Sequence, residues 1–207
     1  MFLTMFQTTI GPMGGDVGYA RPEAAQGMFL NFRRGIQHAH ERLPFALAQT
    51  GKVLRNEISP RRGMIRLREF TIMELELFFD PQNPSCPWLD EVANEEINIF
   101  TEDMEERGDE DPIAESMIDA VKMGHVKTEW QAYFMGVSKR FMTHLGIPAD
   151  RQRFRAHLPL ERSHYSLQTF DHEVLSDAWG WIEVAGHAYR TDYDLRACLL
   201  YTSDAAD

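Results

Sequence analysis

The sequence predicts an α+β chain, antiparallel strands flanked by helices, and three observations predict it. Two extended runs, residues 45–58 and 65–79, alternate their side chains with period two around a turn rich in Pro, Arg and Gly. Apolar residues recur at helical spacing in 22–39 and again in 128–145. Further extended stretches at 151–157 and 179–195 add strands after the second helix.

Taken in order, Phe6 to Ile10 reads as a strand, and Gly11-Pro-Met-Gly-Gly15 as a turn whose glycines are too irregular for a phosphate loop. Pro22 opens a helix, at a position where its missing N–H costs nothing. Ala25, Met28, Phe29, Phe32, Ile36 and Ala39 give that helix its core face. His38 and His40 stand two apart, on different faces, which is poor geometry for a shared metal. After the central hairpin, the three prolines between Asp80 and Pro87 break regular structure. Residues 85–127 read as an inserted, acidic, surface module. A helix from 128 to 145 turns Trp130, Phe134, Val137, Phe141 and Leu145 inward, and Gly146 and Pro148 stop it.

The hairpin carries the chemistry. With Ile58 opposite Ile65, Glu57 faces Arg66, Arg55 faces Arg68 and Val53 faces Phe70. One sheet face then holds guanidinium groups, an aromatic ring and carboxylates. Planar guanidinium forks suit phosphate oxygens and an aromatic face suits a nucleobase, but the same charges also suit a hairpin that merely faces water. Glu23, in the first helical turn, has a bland role open to it too, pairing with the helix dipole for ~0.3–1 kcal/mol.

Arg55-Asn56-Glu57 followed by Arg66-x-x-x-Phe70 resembles motif 2 of the class II aminoacyl-tRNA synthetases. The wording Arg-Asn-Glu-Ile-Ser-Pro-Arg is similar to the single-chain, homodimeric glycyl-tRNA synthetases of archaeal and eukaryotic type. So are Gly18-Tyr-Ala-Arg-Pro-Glu-Ala-Ala-Gln-Gly27, Arg153-Phe-Arg-Ala-His-Leu-Pro159 and Trp179-Gly-Trp-Ile-Glu-Val-Ala-Gly186 with Arg190-Thr-Asp-Tyr-Asp-Leu195. The resemblance covers roughly residues 3–85 and 128–195. It implies the catalytic core of that class, here incomplete.

The implied reaction joins glycine and ATP into glycyl-adenylate, then passes glycine to tRNA(Gly). The resemblance implies an ATP site from Arg55, Asn56, Glu57, Ile65, Arg66, Leu67, Arg68, Glu69 and Phe70, with Glu183 and Val184 added from the later strand. Arg55 and Arg66 are the catalytic pair. A glycine site is implied at Glu23, Phe70, Thr71, Ile72, Met73 and Glu74, and Mg2+ is implied beside the phosphates with Glu183 as its carboxylate. Ser163-His164-Tyr165 and Asp171-His172-Glu173 match family positions, and no hydrolase elbow or His-Glu-x-x-His accompanies them. Motif 1, motif 3 and the anticodon-binding domain are expected outside these residues, so residues 1–197 read as a partial catalytic domain, expected to be inactive or barely active by itself. The ten residues 198–207 resemble translated read-through of a sequencing adapter and are expected to be non-native.

The remaining observations are compositional. A 43% hydrophobic content with 13 Phe and 4 Trp argues for a packed core. No apolar run approaches the ~20 residues of a membrane span, and no signal peptide is visible. Two cysteines are too few for a disulfide framework, which points to the cytoplasm. The net charge of −11 is concentrated in 90–115, where twelve acidic residues meet one basic residue, so it does not argue against RNA elsewhere. Two other readings stay open: a synthetase-like accessory subunit without activity, and a class II synthetase for another small amino acid. Retention of Arg55, Glu57, Arg66, Phe70, Glu23 and Glu74 together favours the enzyme.

Overall fold

The computed structural model describes residues 5–61 and 63–196, and they divide into two compact units. The tail at 198–207, expected to be non-native, lies outside the described residues.

The first unit runs to Asp80 and takes up the chain again from Asp194. It opens with an antiparallel hairpin of β1 (Gln7–Ile10) and β2 (Asp16–Tyr19). Where one helix was expected there are two, α1 (Ala25–Leu30) and α2 (Phe32–His38). Asn31 breaks them, its side chain donating to the Gly27 carbonyl at 2.7 Å. Pro22 stands ahead of α1 instead of opening it, and Glu23 therefore lies outside the first helical turn. The core face is as expected in its first half: Ala25, Met28 and Phe29 are buried, with Phe32 packed against them, whereas Ile36 and Ala39 are only half-buried.

These helices cover a two-stranded antiparallel sheet of β3 (Phe45–Leu54) and β4 (Glu69–Phe78). Phe78 gathers Phe29, Phe32 and Phe45 around it, with ring centroids 4.9 to 6.1 Å away. Close approach of α2 depends on Gly35. A Cβ there would stand 2.9 Å from the Phe45 ring and 3.1 Å from Leu47. Val53 pairs with Phe70, the register expected from the loop length. The ladder ends sooner than alternation implied, at Leu54 and Glu69, and a short 3-10 turn, Gly63–Ile65, lies in the loop between.

The second unit, Pro81–Tyr193, holds a five-stranded sheet in the order β6-β5-β7-β8-β9. Its strands are β5 (Glu96–Phe100), β6 (Ile113–Ser116), β7 (Gln152–Ala156), β8 (Gln168–Ser176) and β9 (Gly180–Tyr189). Every neighbouring pair is antiparallel except β5 with β7. Residues 85–127, expected as a surface module, supply β5 and β6 together with α3 (Glu102–Arg107) and α4 (Met117–Lys122). Ile97, Ile99, Phe100, Met104 and Met117 from this stretch are buried.

Helix α5 (Glu129–His144) has the expected limits, with Thr128 accepting the Gln131 N–H at its start. Its buried set differs from the expected stripe. Trp130, which was expected, is buried together with Gln131, Ala132, Met135 and Gly136, whereas Phe141 and Leu145 are more than half exposed. The sheet's inner residues include the polar Gln168, His172 and Gln152, so the helix meets it with Gln131 and Ser138, which reach the His187 carbonyl and the His172 ring. Among the described residues no helix is long and apolar enough to cross a membrane.

Candidate active site

The site grows from the point where the ladder of β3 and β4 stops. Beyond Leu54 the chains stay close without regular pairing. The Arg55 N–H donates to the Arg68 carbonyl at 2.9 Å, and the Arg68 guanidinium donates back to the Glu57 carbonyl at 3.0 Å. Arg66 Nε stands 3.9 Å from the Glu57 carboxylate, so the expected facing pairs Arg55/Arg68 and Glu57/Arg66 both occur. Arg55 spans 5.3 Å to the Phe70 ring centroid, a cation–π distance, and its Nε donates to the Pro22 carbonyl at 3.2 Å.

Together these residues wall a cleft of about 560 Å³, lined by Pro22, Glu23, Arg55, Asn56, Glu57, Ile58, Ser59 and Arg66. Five of them were expected as site residues on sequence grounds: Glu23, Arg55, Asn56, Glu57 and Arg66. The wall pieces Pro22, Ile58 and Ser59 were not singled out, although the Arg-Pro-Glu and Ile-Ser-Pro wording contains them. The lining brings two guanidinium groups and two carboxylates to one cleft, which suits a ligand bearing both phosphate and ammonium groups.

The other expected residues are distributed by strand alternation. Phe70, Ile72 and Glu74 share one face of β4 and are partly covered, whereas Glu69, Thr71 and Met73 turn to the opposite, exposed face. Glu69 is ion-paired with Lys52 there. As a side-chain pocket, then, the stretch 70–74 divides in two. Glu74 accepts the Ala24 N–H at 2.6 Å, and Glu23 accepts from the Gln26 amide at 3.0 Å. Ile65 and Leu67 lie in the exposed loop. Glu183 and Val184 belong to the second unit, exposed on β9, where Glu183 stands across from Glu173 in the register. No group of three or more His, Cys, Asp or Glu side chains among the described residues could hold a metal ion.

Residues 14–160 match the family described as the tRNA synthetase class II core domain for G, H, P, S and T. This chain belongs to that family. The class II core thus accounts for most of the sequence, the hairpin and the cleft included. Three glycine–tRNA ligases are close relatives. That of Aeropyrum pernix is 47% identical over 203 residues, 97% of this chain and 35% of its own length. Those of Pyrococcus horikoshii and Methanothermobacter thermautotrophicus are 48% and 46% identical over 94% and 93% of this chain, each over 34% of their own length. The chain spans about a third of the length of these curated relatives.

Proposed function

We propose that this chain forms the ATP- and glycine-binding part of a glycine–tRNA ligase. The observation that carries the reading is the cleft, in which Arg55 and Arg66 meet Glu23 across about 560 Å³. The similarity to glycine–tRNA ligases supports glycine among the family's amino acids.

The first reaction step needs no general base. An α-carboxylate has a reference pKa near ~3.5 and is already ionised at pH 7. One of its oxygens attacks the α-phosphorus of ATP, the bond from that phosphorus to the bridging oxygen breaks, and pyrophosphate leaves. The protein's task is to hold the two in line and neutralise charge at the phosphate. Arg55 takes the α-phosphate, Arg66 with Arg68 the terminal phosphates, Phe70 stacks on adenine, and Glu57 accepts from the adenine amino group. Mg2+ bound with ATP would neutralise phosphate charge, and among the described residues no group of three or more His, Cys, Asp or Glu side chains is built to hold it. A hydroxyl at the 3′ end of tRNA(Gly) then attacks the acyl carbon, and AMP leaves. We place this activity in a cytoplasmic homodimer of full length.

Glycine has no side chain to grip, so selectivity comes from its ammonium and from exclusion. Glu23 and Glu74 take the ammonium in charge-assisted bonds of about 1.5–3 kcal/mol each. Only one Glu74 oxygen is committed to Ala24. Rejecting alanine requires the walls to close on the bound glycine, so that an added methyl costs on the order of 1–3 kcal/mol.

ATP–pyrophosphate exchange by the full-length protein tests the reading. Exchange should depend on glycine, and Glu74→Gln should raise the KM for glycine far more than that for ATP. Exchange that ran equally well with alanine or serine, or that ignored glycine, would overturn it.

A further inference from the structure

Glu23 reaches the cleft on a segment, residues 21–24, that belongs to neither a helix nor a strand. Its placement therefore depends on what ties the segment down. Four hydrogen bonds do so. The Leu54 N–H donates to the Arg21 carbonyl at 2.9 Å, and the Arg55 guanidinium to the Pro22 carbonyl at 3.2 Å. The Ala24 N–H donates to Glu74 at 2.6 Å, and Arg21 Nε to the Lys52 carbonyl at 2.9 Å.

The last of these bonds has an unusual seat. The Arg21 guanidinium lies against β3 at Gly51, where any Cβ would collide with Nη2. Gly51 is in ordinary strand conformation, with no positive φ, so the backbone itself does not require glycine there. What the bare position provides is room for the guanidinium. Arg21 is exposed and lines no part of the cleft, and its side chain and carbonyl bond to Lys52 and Leu54 of β3, two residues apart.

We propose that Arg21, seated on Gly51, is a positioning residue that sets the Glu23 carboxylate for the amino-acid ammonium. The proposal rests on the ligase reading above. Arg21 touches no substrate; it acts by fixing the segment one proline away from Glu23. Displacements near 1 Å in a positioned group commonly change rates by ~100-fold, so loosening this segment should be felt at the amino-acid side of the reaction.

The test is a double-mutant cycle of Arg21→Ala and Gly51→Ala in the full-length protein, read by ATP–pyrophosphate exchange. Each single substitution should raise the KM for glycine about tenfold or more and leave the KM for ATP within about twofold. The double variant should be no worse than Arg21→Ala alone, because the added methyl then has no guanidinium to displace. Arg21→Lys should behave like Arg21→Ala, since an ammonium lacks the Nε donor and the flat fork. Additive effects, equal rises in both KM values, or an unchanged glycine KM would overturn the proposal. A Tm lowered by Gly51→Ala but not by Arg21→Ala leaves the arginine variants to decide. Loss of glycine-dependent exchange in the unmutated protein would sink the ligase reading instead, so the two failures are distinguishable.

Discussion

His172 is wholly buried between two polar partners and an aromatic ring. Ser138 Oγ lies 2.8 Å from Nδ1, Gln152 Oε1 lies 3.2 Å from Nε2, and Phe154 stacks at 4.3 Å. A neutral ring satisfies both partners, with Nε2 donating to Gln152 and Nδ1 accepting from Ser138. Burial pushes its pKa down to about 4. Burial and the neighbouring His172 push His187, whose ring nitrogen is sealed although the residue is partly exposed, to about 3. Both folded values lie below the ordinary 6.5, so the unfolded chain binds more protons in between. Their stabilising contribution is therefore full above pH 6.5 and is lost as the pH falls from there to about 4 for His172 and about 3 for His187. Denaturant melts between pH 7 and 4 should show a loss on the order of 3 kcal/mol traceable to His172, and His172→Gln should flatten that slope. None of this was legible beforehand, because Asp171-His172-Glu173 stood out only for its match to family positions, and spacing does not show that the ring is buried. At the site, by contrast, Glu23, Arg55, Asn56, Glu57 and Arg66 carried their family wording openly, whereas the tie of Arg21 to Gly51 depends on contacts that spacing does not reveal.

Helix α5 was legible in its limits and misread in its orientation. Thr128, the continuous helix-forming run and Gly146, at φ 93°, mark its ends by local chemistry alone. Its buried side is harder to read, since Gln131, Gly136 and Ser138 meet a sheet that presents Gln168, His172 and Gln152. A sequence reader looking for an apolar stripe picks Trp130, Phe134, Val137, Phe141 and Leu145, of which Trp130 is buried and Phe134 half-buried while the other three are exposed. Strand β8 was missed for the same reason, as its inner face of Gln168, Phe170, His172 and Val174 is half polar. The two choices of stripe make opposite predictions. Met135→Ala, at a position with no exposed surface, should cost about 2–5 kcal/mol in chemical denaturation. Phe141→Ser, at a residue 54% exposed, should change stability by no more than about 0.5 kcal/mol. The hairpin register was legible because turn length and strand parity together pin Val53 to Phe70. Its early end was not, since alternation continues through Arg66 and Arg68 after the ladder has stopped.

Across the whole chain, the acidic excess at 90–115 is tied into the second unit more than its composition implies. Glu95 pairs with Lys139 and Arg140, Glu102 with Arg162, Glu105 with Arg155, and Glu115 with His125. Bonds from Lys139 and Arg140 hold the Glu95 carboxyl below the usual range. Charge placement along the chain was legible; these partners, 10 to 60 residues away, were not. The second unit is one continuous stretch with its own sheet and buried core. Expressed alone, residues 81–193 should therefore unfold in a single cooperative transition, with coincident far- and near-UV circular dichroism. The first unit has a different exposure. Strands β3 and β4 are each ten residues long, and among the described residues no further strand is bonded to either flank. Met73 and Leu75 lie open on the uncovered face, 75% and 48% exposed. Such a ribbon is a template for other copies of itself. Stored concentrated as 207 residues, the protein should deposit amyloid-like fibrils that bind thioflavin, and a lysine in place of Met73 should delay their onset.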